Sequence, residues 1–175
     1  MPNGLALAIS LLVILLFVAY LVSMILNFVN PFYSTSKKAM KKIVEKFNLK
    51  KEQKFVDLGS GDGRMVFAVH RRYKCSCVGY EISPLLLIIQ KLAKLCLATF
   101  NSKIQFREES FFNVSLSDFD VIYCALPEAI LSNLQEKFKE ELKEGAVVFS
   151  YKTKLPDKKG KETKVEDSIL YKYTY

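Results

Sequence analysis

Phe55-Val56-Asp57-Leu58-Gly59-Ser60-Gly61-Asp62-Gly63-Arg64 is a short apolar run that ends in an acid and breaks into alternating glycines before a helical pattern. It reads as strand, loop and helix, the first unit of a nucleotide-binding α/β sheet. Gly59, Gly61 and Gly63 let the main chain take positive φ and let a ligand approach it closely. The following helix is expected to aim free N–H groups and its positive dipole end at that ligand. A dinucleotide fingerprint is spaced G-x-G-x-x-G, whereas here Arg64 stands where the third glycine would fall, so pyrophosphate is a poor fit. Asp57, at the carboxyl end of the strand, suits a cationic amino group better than a phosphate. An amino-acid ammonium facing Asp57, with its carboxylate at the helix start, satisfies both features.

Cys77-Val78-Gly79-Tyr80-Glu81-Ile82-Ser83-Pro84 reads as the next strand. Glu81 ends it about 20 residues beyond the glycine loop, where nucleotide-binding folds place the acid that accepts from ribose hydroxyls. An amino acid joined to a ribose points to S-adenosylmethionine. These residues resemble the seven-stranded, Rossmann-like methyltransferases, whose D-x-G-x-G-x-G loop and strand-two acid are matched by Asp57, Gly59, Gly61, Gly63 and Glu81. The resemblance implies an α/β fold, a doubly wound sheet with an antiparallel terminal strand. It assigns cofactor contacts to Asp57, Leu58, Gly59, Gly61, Gly63, Glu81, Ile82 and Ser110. Ser110 stands where many of these enzymes carry an adenine-contacting acid, and Glu109 lies one residue earlier.

The chain has 175 residues, one ordinary domain plus a small addition. The addition comes first. From Leu5 to Val29 no residue is charged, and about 20 apolar residues suffice to span a bilayer. The run is too long for the apolar part of a signal peptide, lacks a basic start and shows no convincing cleavage site. Residues 1–30 are therefore expected to form a retained transmembrane anchor, and residues 31–175 the methyltransferase domain. Lys37, Lys38, Lys41 and Lys42 follow the run, so the positive-inside bias puts the domain on the cytoplasmic side. No flexible linker intervenes, which keeps the catalytic body close to the bilayer.

The net charge of +8 raises the possibility of a nucleic-acid partner. Yet the lysines gather beside the apolar run and in Lys152 to Lys164, without the interleaved aromatics of a base-stacking groove. No nucleic acid is expected; an anionic lipid surface explains the juxtamembrane lysines at least as well. Cys75, Cys77, Cys96 and Cys124 show no disulfide spacing, and with His70 as the only histidine no metal site is expected.

Along the rest of the chain, Met40, Ile43, Val44 and Phe47 form the core stripe of a helix. Met65 to His70 and Pro84 to about Phe100 are crossover helices, and Ile104 to Glu108 is strand three. Asp118 to Pro127 holds strand four and its loop, whose Ala125-Leu126-Pro127 does not match the Asn-Pro-Pro-Tyr of enzymes that methylate nucleobase or glutamine amide nitrogen. Glu128 to Leu142 is a helix stopped at Gly145, and Ala146 to Tyr151 is strand five. Lys152 to Asp167 is expected to be a mobile loop with room for a short strand, and Ser168 to Tyr175 a terminal antiparallel strand.

Pro31-Phe32-Tyr33-Ser34-Thr35, the Asp57 to Arg64 string, the Gly79 to Pro84 acid loop and the Asp120 to Pro127 strand together resemble one subgroup. These are small membrane-anchored protein lysine methyltransferases, whose animal members act on the ATP synthase c subunit and the adenine nucleotide translocase in mitochondria. Their Pro-Phe-x-Pro-Thr preface is matched at Pro31, Phe32 and Thr35, with Ser34 replacing the second proline. The resemblance implies a lysine side chain of a membrane-associated protein as substrate, received among Tyr33, Thr35, Tyr123 and the loop ending at Pro127. It also implies the mitochondrial inner membrane in a eukaryote, although the amino terminus lacks the arginine-rich look of a transit peptide, which favours a prokaryotic relative. Two other readings stay open: a methyltransferase of lipid or quinone headgroups, and a non-catalytic membrane-anchored binding module.

Overall fold

A computed structural model describes residues 3–29, 35–96 and 103–175. The chain divides into an amino-terminal helical unit and an α/β domain that starts at Ser34. Helix α1 (Asn3–Val29) contains a stretch, Gly4–Val22, with a mean hydropathy of 3.0, apolar and long enough to cross a membrane. At 1.5 Å per residue its length of about 40 Å exceeds the roughly 30 Å hydrocarbon layer. Its described large aliphatic side chains are exposed.

The domain opens on α2 (Lys37–Lys46), where Ser36 caps the helix by accepting from the Ala39 N–H at 3.2 Å. Ala39, Ile43 and Phe47 are fully or almost fully buried, and Met40 sits half-buried at the stripe's edge. Val44 is buried as well, so the expected stripe holds at Ile43, Val44 and Phe47, with Ala39 taking the place of Met40 at its start.

The sheet is seven-stranded with the order β3-β2-β1-β4-β5-β7-β6. Its strands are β1 (Lys54–Leu58), β2 (Ser76–Tyr80), β3 (Ile104–Arg107), β4 (Val121–Cys124), β5 (Val147–Tyr151), β6 (Lys161–Val165) and β7 (Ser168–Thr174). The first five run parallel; β7 pairs antiparallel with both β5 and β6. From β1 the chain winds outward through α3 (Arg64–Tyr73) to β2, then through α4 (Pro84–Cys96) to β3, before returning to β4 beside β1. That reversal creates a crevice at the carboxyl ends of β1 and β4, the position where open α/β sheets hold ligands.

Each face of the sheet has its own core. Phe55, Cys77, Tyr123 and Phe149 pack under α2 and α3; Val56, Leu58, Ile122 and Val148 pack under α5 (Glu128–Glu141) through Leu131, Leu134 and Phe138. Between β3 and β4 there is no helix. Leu116 and Phe119 fill that gap from an irregular segment, and the Leu116 N–H donates to Glu141 at 2.7 Å.

Lys152 to Asp167 contains the short strand β6, but the stretch before it is pinned, unlike the mobile loop expected. Leu155 is buried, its N–H donates to the Tyr173 hydroxyl at 2.8 Å, and Gln135 of α5 accepts from the Asp157 N–H at 2.8 Å. Its lysine-rich composition hid one apolar plug and two long-range hydrogen bonds. Tyr173→Phe leaves the buried Leu155 N–H without its partner, so denaturant unfolding is expected to show a loss of about 1–3 kcal/mol.

Candidate functional site

The loop between β1 and α3 turns through Gly59, Gly61 and Gly63, all at positive φ. Its main chain is fastened to the end of β2, where the Tyr80 carbonyl accepts from the N–H groups of Gly59 at 3.0 Å and Ser60 at 2.9 Å. Glu81 completes the clasp. One carboxylate oxygen accepts from the Gly61 N–H at 2.9 Å, the other from the Ile82 and Ser83 N–H groups at 3.0 Å each. Two acid-bearing segments 20 residues apart in the chain are thereby locked into one cradle.

Close packing sets the loop's height. A Cβ on Gly79 would lie 2.7 Å from the Ser60 hydroxyl and 2.9 Å from the Phe106 ring, and one on Gly63 would lie 2.7 Å from the same ring. Gly63 therefore serves helix and strand packing as well as turning the chain. Behind the loop, fully buried Gln90 of α4 donates to the Ser60 hydroxyl at 2.9 Å and to the Gly61 carbonyl. Gly79 and Gln90 are site-supporting residues that the sequence reading did not single out. An isolated glutamine on an otherwise leucine-rich helix was the available signal.

Asp57 is buried beside this cradle, on the same face of the sheet as Tyr123, its register partner on β4. Burial, with the Glu81 and Asp62 carboxylates adding repulsion, pushes its pKa well above the ordinary carboxylate range. Asp62 is penalised by burial too, but hydrogen bonds from Arg64 outweigh that and hold its pKa low. The Asp62 side chain also accepts from the Arg64 N–H at 3.2 Å, so the first N–H of α3 is capped internally. The expected opening of the helix start to a ligand carboxylate is to that extent narrowed. What remains is a cluster of carboxylates, Asp57, Asp62 and Glu81, with one buried acid in need of a cation. A ligand that carries an ammonium and a sulfonium fits that donor set.

Thr35 and Tyr123 are 88 positions apart, yet their hydroxyls lie 2.8 Å from each other, both buried. Burial pushes the Tyr123 pKa well up, so it stays a neutral hydroxyl. Pro127 caps α5, and its carbonyl accepts from the Ile130 and Leu131 N–H groups at 3.1 Å each. Its neighbour Leu126 lies against Gly59, so the β4 loop borders the glycine loop. Leu58 is buried in the core on the opposite face, which leaves its main chain for any ligand contact. Ile82 is 68% exposed at the rim. Ser110 starts the turn after β3 and accepts from the Phe112 N–H at 3.4 Å through its hydroxyl, a local cap. Tyr33 lies outside the described residues, as do Pro31, Phe32 and Ser34.

A cleft of about 890 Å³ between α2 and α3 shares only Asp62 and Arg64 with this loop and is lined largely by basic side chains. It is a separate surface feature. Among the described residues no group of three or more His, Cys, Asp or Glu side chains could hold a metal ion.

The sheet order, the glycine loop and the strand-two acid define the class I, Rossmann-like methyltransferases. Within that class the chain belongs to the family described as ANTKMT methyltransferase domain, whose sequence pattern matches residues 57–162. It is 35% identical to the adenine nucleotide translocase lysine N-methyltransferase of Mus musculus, over 59% of this chain and 44% of that one. It therefore spans less than half of the mouse protein's length. A protein-lysine N-methyltransferase of Saccharolobus islandicus is 26% identical over 83% of this chain and 91% of its own. Among solved structures, an RNA methyltransferase of Salinibacter ruber in complex with S-adenosyl-L-homocysteine superposes with a TM-score of 0.76. It is 24% identical, covering 81% of this chain and 92% of its own, a likeness of fold.

The buried acid makes two opposed predictions for Asp57→Asn. Without ligand, the folded wild type keeps a proton on Asp57 at pH values where the unfolded chain, near its ordinary 3.8, has lost it. The unfolded state then binds fewer protons, so this residue's contribution to stability falls as pH rises through that window. Asp57→Asn is expected to raise the neutral-pH Tm of the free protein in a thermal melt. In calorimetry the same variant should lose the ion pair to S-adenosylmethionine, at a cost of about 3 kcal/mol or more, roughly 100-fold or greater in Kd. Gly79→Ala is expected to displace Ser60 and Phe106 and weaken that binding without touching any carboxylate.

Proposed function

We propose that this chain is an S-adenosylmethionine-dependent protein-lysine N-methyltransferase, held at a membrane by α1 and acting on a lysine of a membrane protein. The observation that carries the reading is the buried Asp57 beside Tyr123 at the crevice, with the glycine loop clasped by Glu81 next to it. Family membership and similarity to lysine methyltransferases of mouse and archaeal origin support it.

When bound, S-adenosylmethionine supplies a methyl group on a sulfonium, open to in-line attack by a neutral amine. Asp57 takes the amino-acid ammonium of the cofactor and loses its own proton as it does so. Glu81, already turned toward the loop, offers its remaining lone pairs to ribose hydroxyls. Ile82 at the rim and Ser110 after β3 are the residues this reading assigns to the adenine end. The acceptor lysine must arrive neutral, which costs about 4–5 kcal/mol at pH 7 from its usual pKa. A dry pocket lowers that cost by disfavouring the ammonium. The Thr35 and Tyr123 hydroxyls, each partly satisfied by the other, orient the amine by hydrogen bonding. The Ala125 and Leu126 carbonyls accept hydrogen bonds from the amine, since the Pro127 carbonyl starts α5, and the leaving proton passes to water. Alignment of the two reactants supplies most of the acceleration.

In this reading α1 is retained, the domain faces the cytoplasm, and the Lys37 to Lys42 segment meets anionic headgroups. The acceptor is a lysine close to the bilayer, of the kind offered by the carrier named for the mouse relative.

Mass spectrometry of membrane proteins from cells with and without this chain tests the assignment. Methyl-sized shifts on lysine that depend on the chain are expected; label from the cofactor appearing in lipid instead would replace the reading with headgroup methylation. Tyr123→Phe is expected to lower kcat about tenfold, near 1.4 kcal/mol of transition-state stabilisation, with cofactor Kd unchanged.

A further inference from the structure

Helix α4 is built the wrong way round for a helix on the surface of a water-soluble domain. Leu87 and Gln90 face the sheet, while Leu85, Ile88, Ile89, Leu92 and Leu95 are each between 41% and 60% exposed. Their spacing follows the i, i+3, i+4, i+7 rule, so they form one continuous outward stripe. Water-soluble domains rarely leave a contiguous aliphatic patch uncovered, and such patches mark interaction surfaces.

The neighbouring surface narrows the choice of occupant. The right-handed crossovers from β1 to β2 and from β2 to β3 run in one direction, which puts α3 and α4 on the same face of the sheet as α2. The same face carries basic side chains on α2 and α3. Lys37 and Lys41 of α2 and Arg71 and Arg72 of α3 line one cleft together with Glu45 and the Asp62–Arg64 ion pair, which leaves it net basic, and Lys91 flanks the stripe. A second copy docking here by two-fold symmetry would bring like charge against like. The stripe also lacks the tyrosine, tryptophan and arginine anchors that protein interfaces favour. An aliphatic band beside cationic groups complements acyl chains beside anionic headgroups.

We infer that the α2–α3–α4 layer is a second membrane contact, with the α4 stripe seated in the interfacial region of a lipid bilayer and the basic cleft turned to its headgroups. The inference uses the reading of α1 as a membrane-crossing helix but not the assignment of methyl transfer. It goes beyond anchoring by α1 because it fixes which face of the domain meets the lipid.

The chain contains no tryptophan, so a single introduced indole reports its own surroundings. The full chain, carrying Ile88→Trp, Leu92→Trp or the control Ser132→Trp on the opposite face, is reconstituted in phosphatidylcholine and phosphatidylglycerol vesicles with brominated acyl chains. All three positions are exposed, so the exchanges should not disturb packing. Blue-shifted emission at 88 and 92, quenched about threefold or more strongly than at 132, is the expected result. Equal quenching at all three positions would overturn the inference. So would blue-shifted emission at 88 and 92 without quenching, which would place protein over the stripe: a second copy if it varies with protein concentration, another part of the same chain if not. None of these outcomes depends on methyl transfer, so the inference can fail while the enzymatic reading stands.

Discussion

The constraint that organises this domain is a carboxylate kept out of water at the mouth of a parallel sheet. Asp57 sits on the central strand, walled by Tyr123 on the next strand and repelled by Glu81 and Asp62. Burying an acid costs free energy unless a partner compensates. Arg64, the basic residue of the loop, is spent on Asp62. The site is stabilised against collapse by main-chain clasps and packing, and its electrostatic need is left for a ligand to meet.

Those clasps explain why so short a chain can hold a large cofactor. The glycine loop is gripped from β2 through Tyr80 and Glu81, and from α4 through Gln90, and its height is set by Phe106 and Gly79. The contacts converge on the loop from β2, β3 and α4, so the cradle is built before any ligand arrives. Preorganisation of this kind lowers the entropic cost of binding. The irregular segment between β3 and β4, with Leu116 and Phe119 in place of a helix, shows how economically the remainder is built.

The glycine loop and its strand were legible in the sequence because their signal is local: glycine permits the backbone and alternation with an acid marks the strand end. Glu81 was legible because a strand, loop, helix and strand fix its distance along the chain. The doubly wound sheet and its antiparallel last strand followed from the class. The lysine-rich stretch before β6 misled, since composition cannot show that Leu155 plugs a core or that Gln135 reaches Asp157.

By itself, then, the sequence determined the class of fold, the apolar amino-terminal helix and the pairing of the glycine loop with the strand-two acid, whose spacing is short and chemically constrained. Only the tertiary structure decided that Thr35 meets Tyr123, that Gln90 supports the loop, that Leu58 turns away from it, and that α4 carries its aliphatic stripe outward. These depend on which faces of distant elements are brought together. A periodic pattern reveals that a helix has two faces, but not which one the sheet will cover.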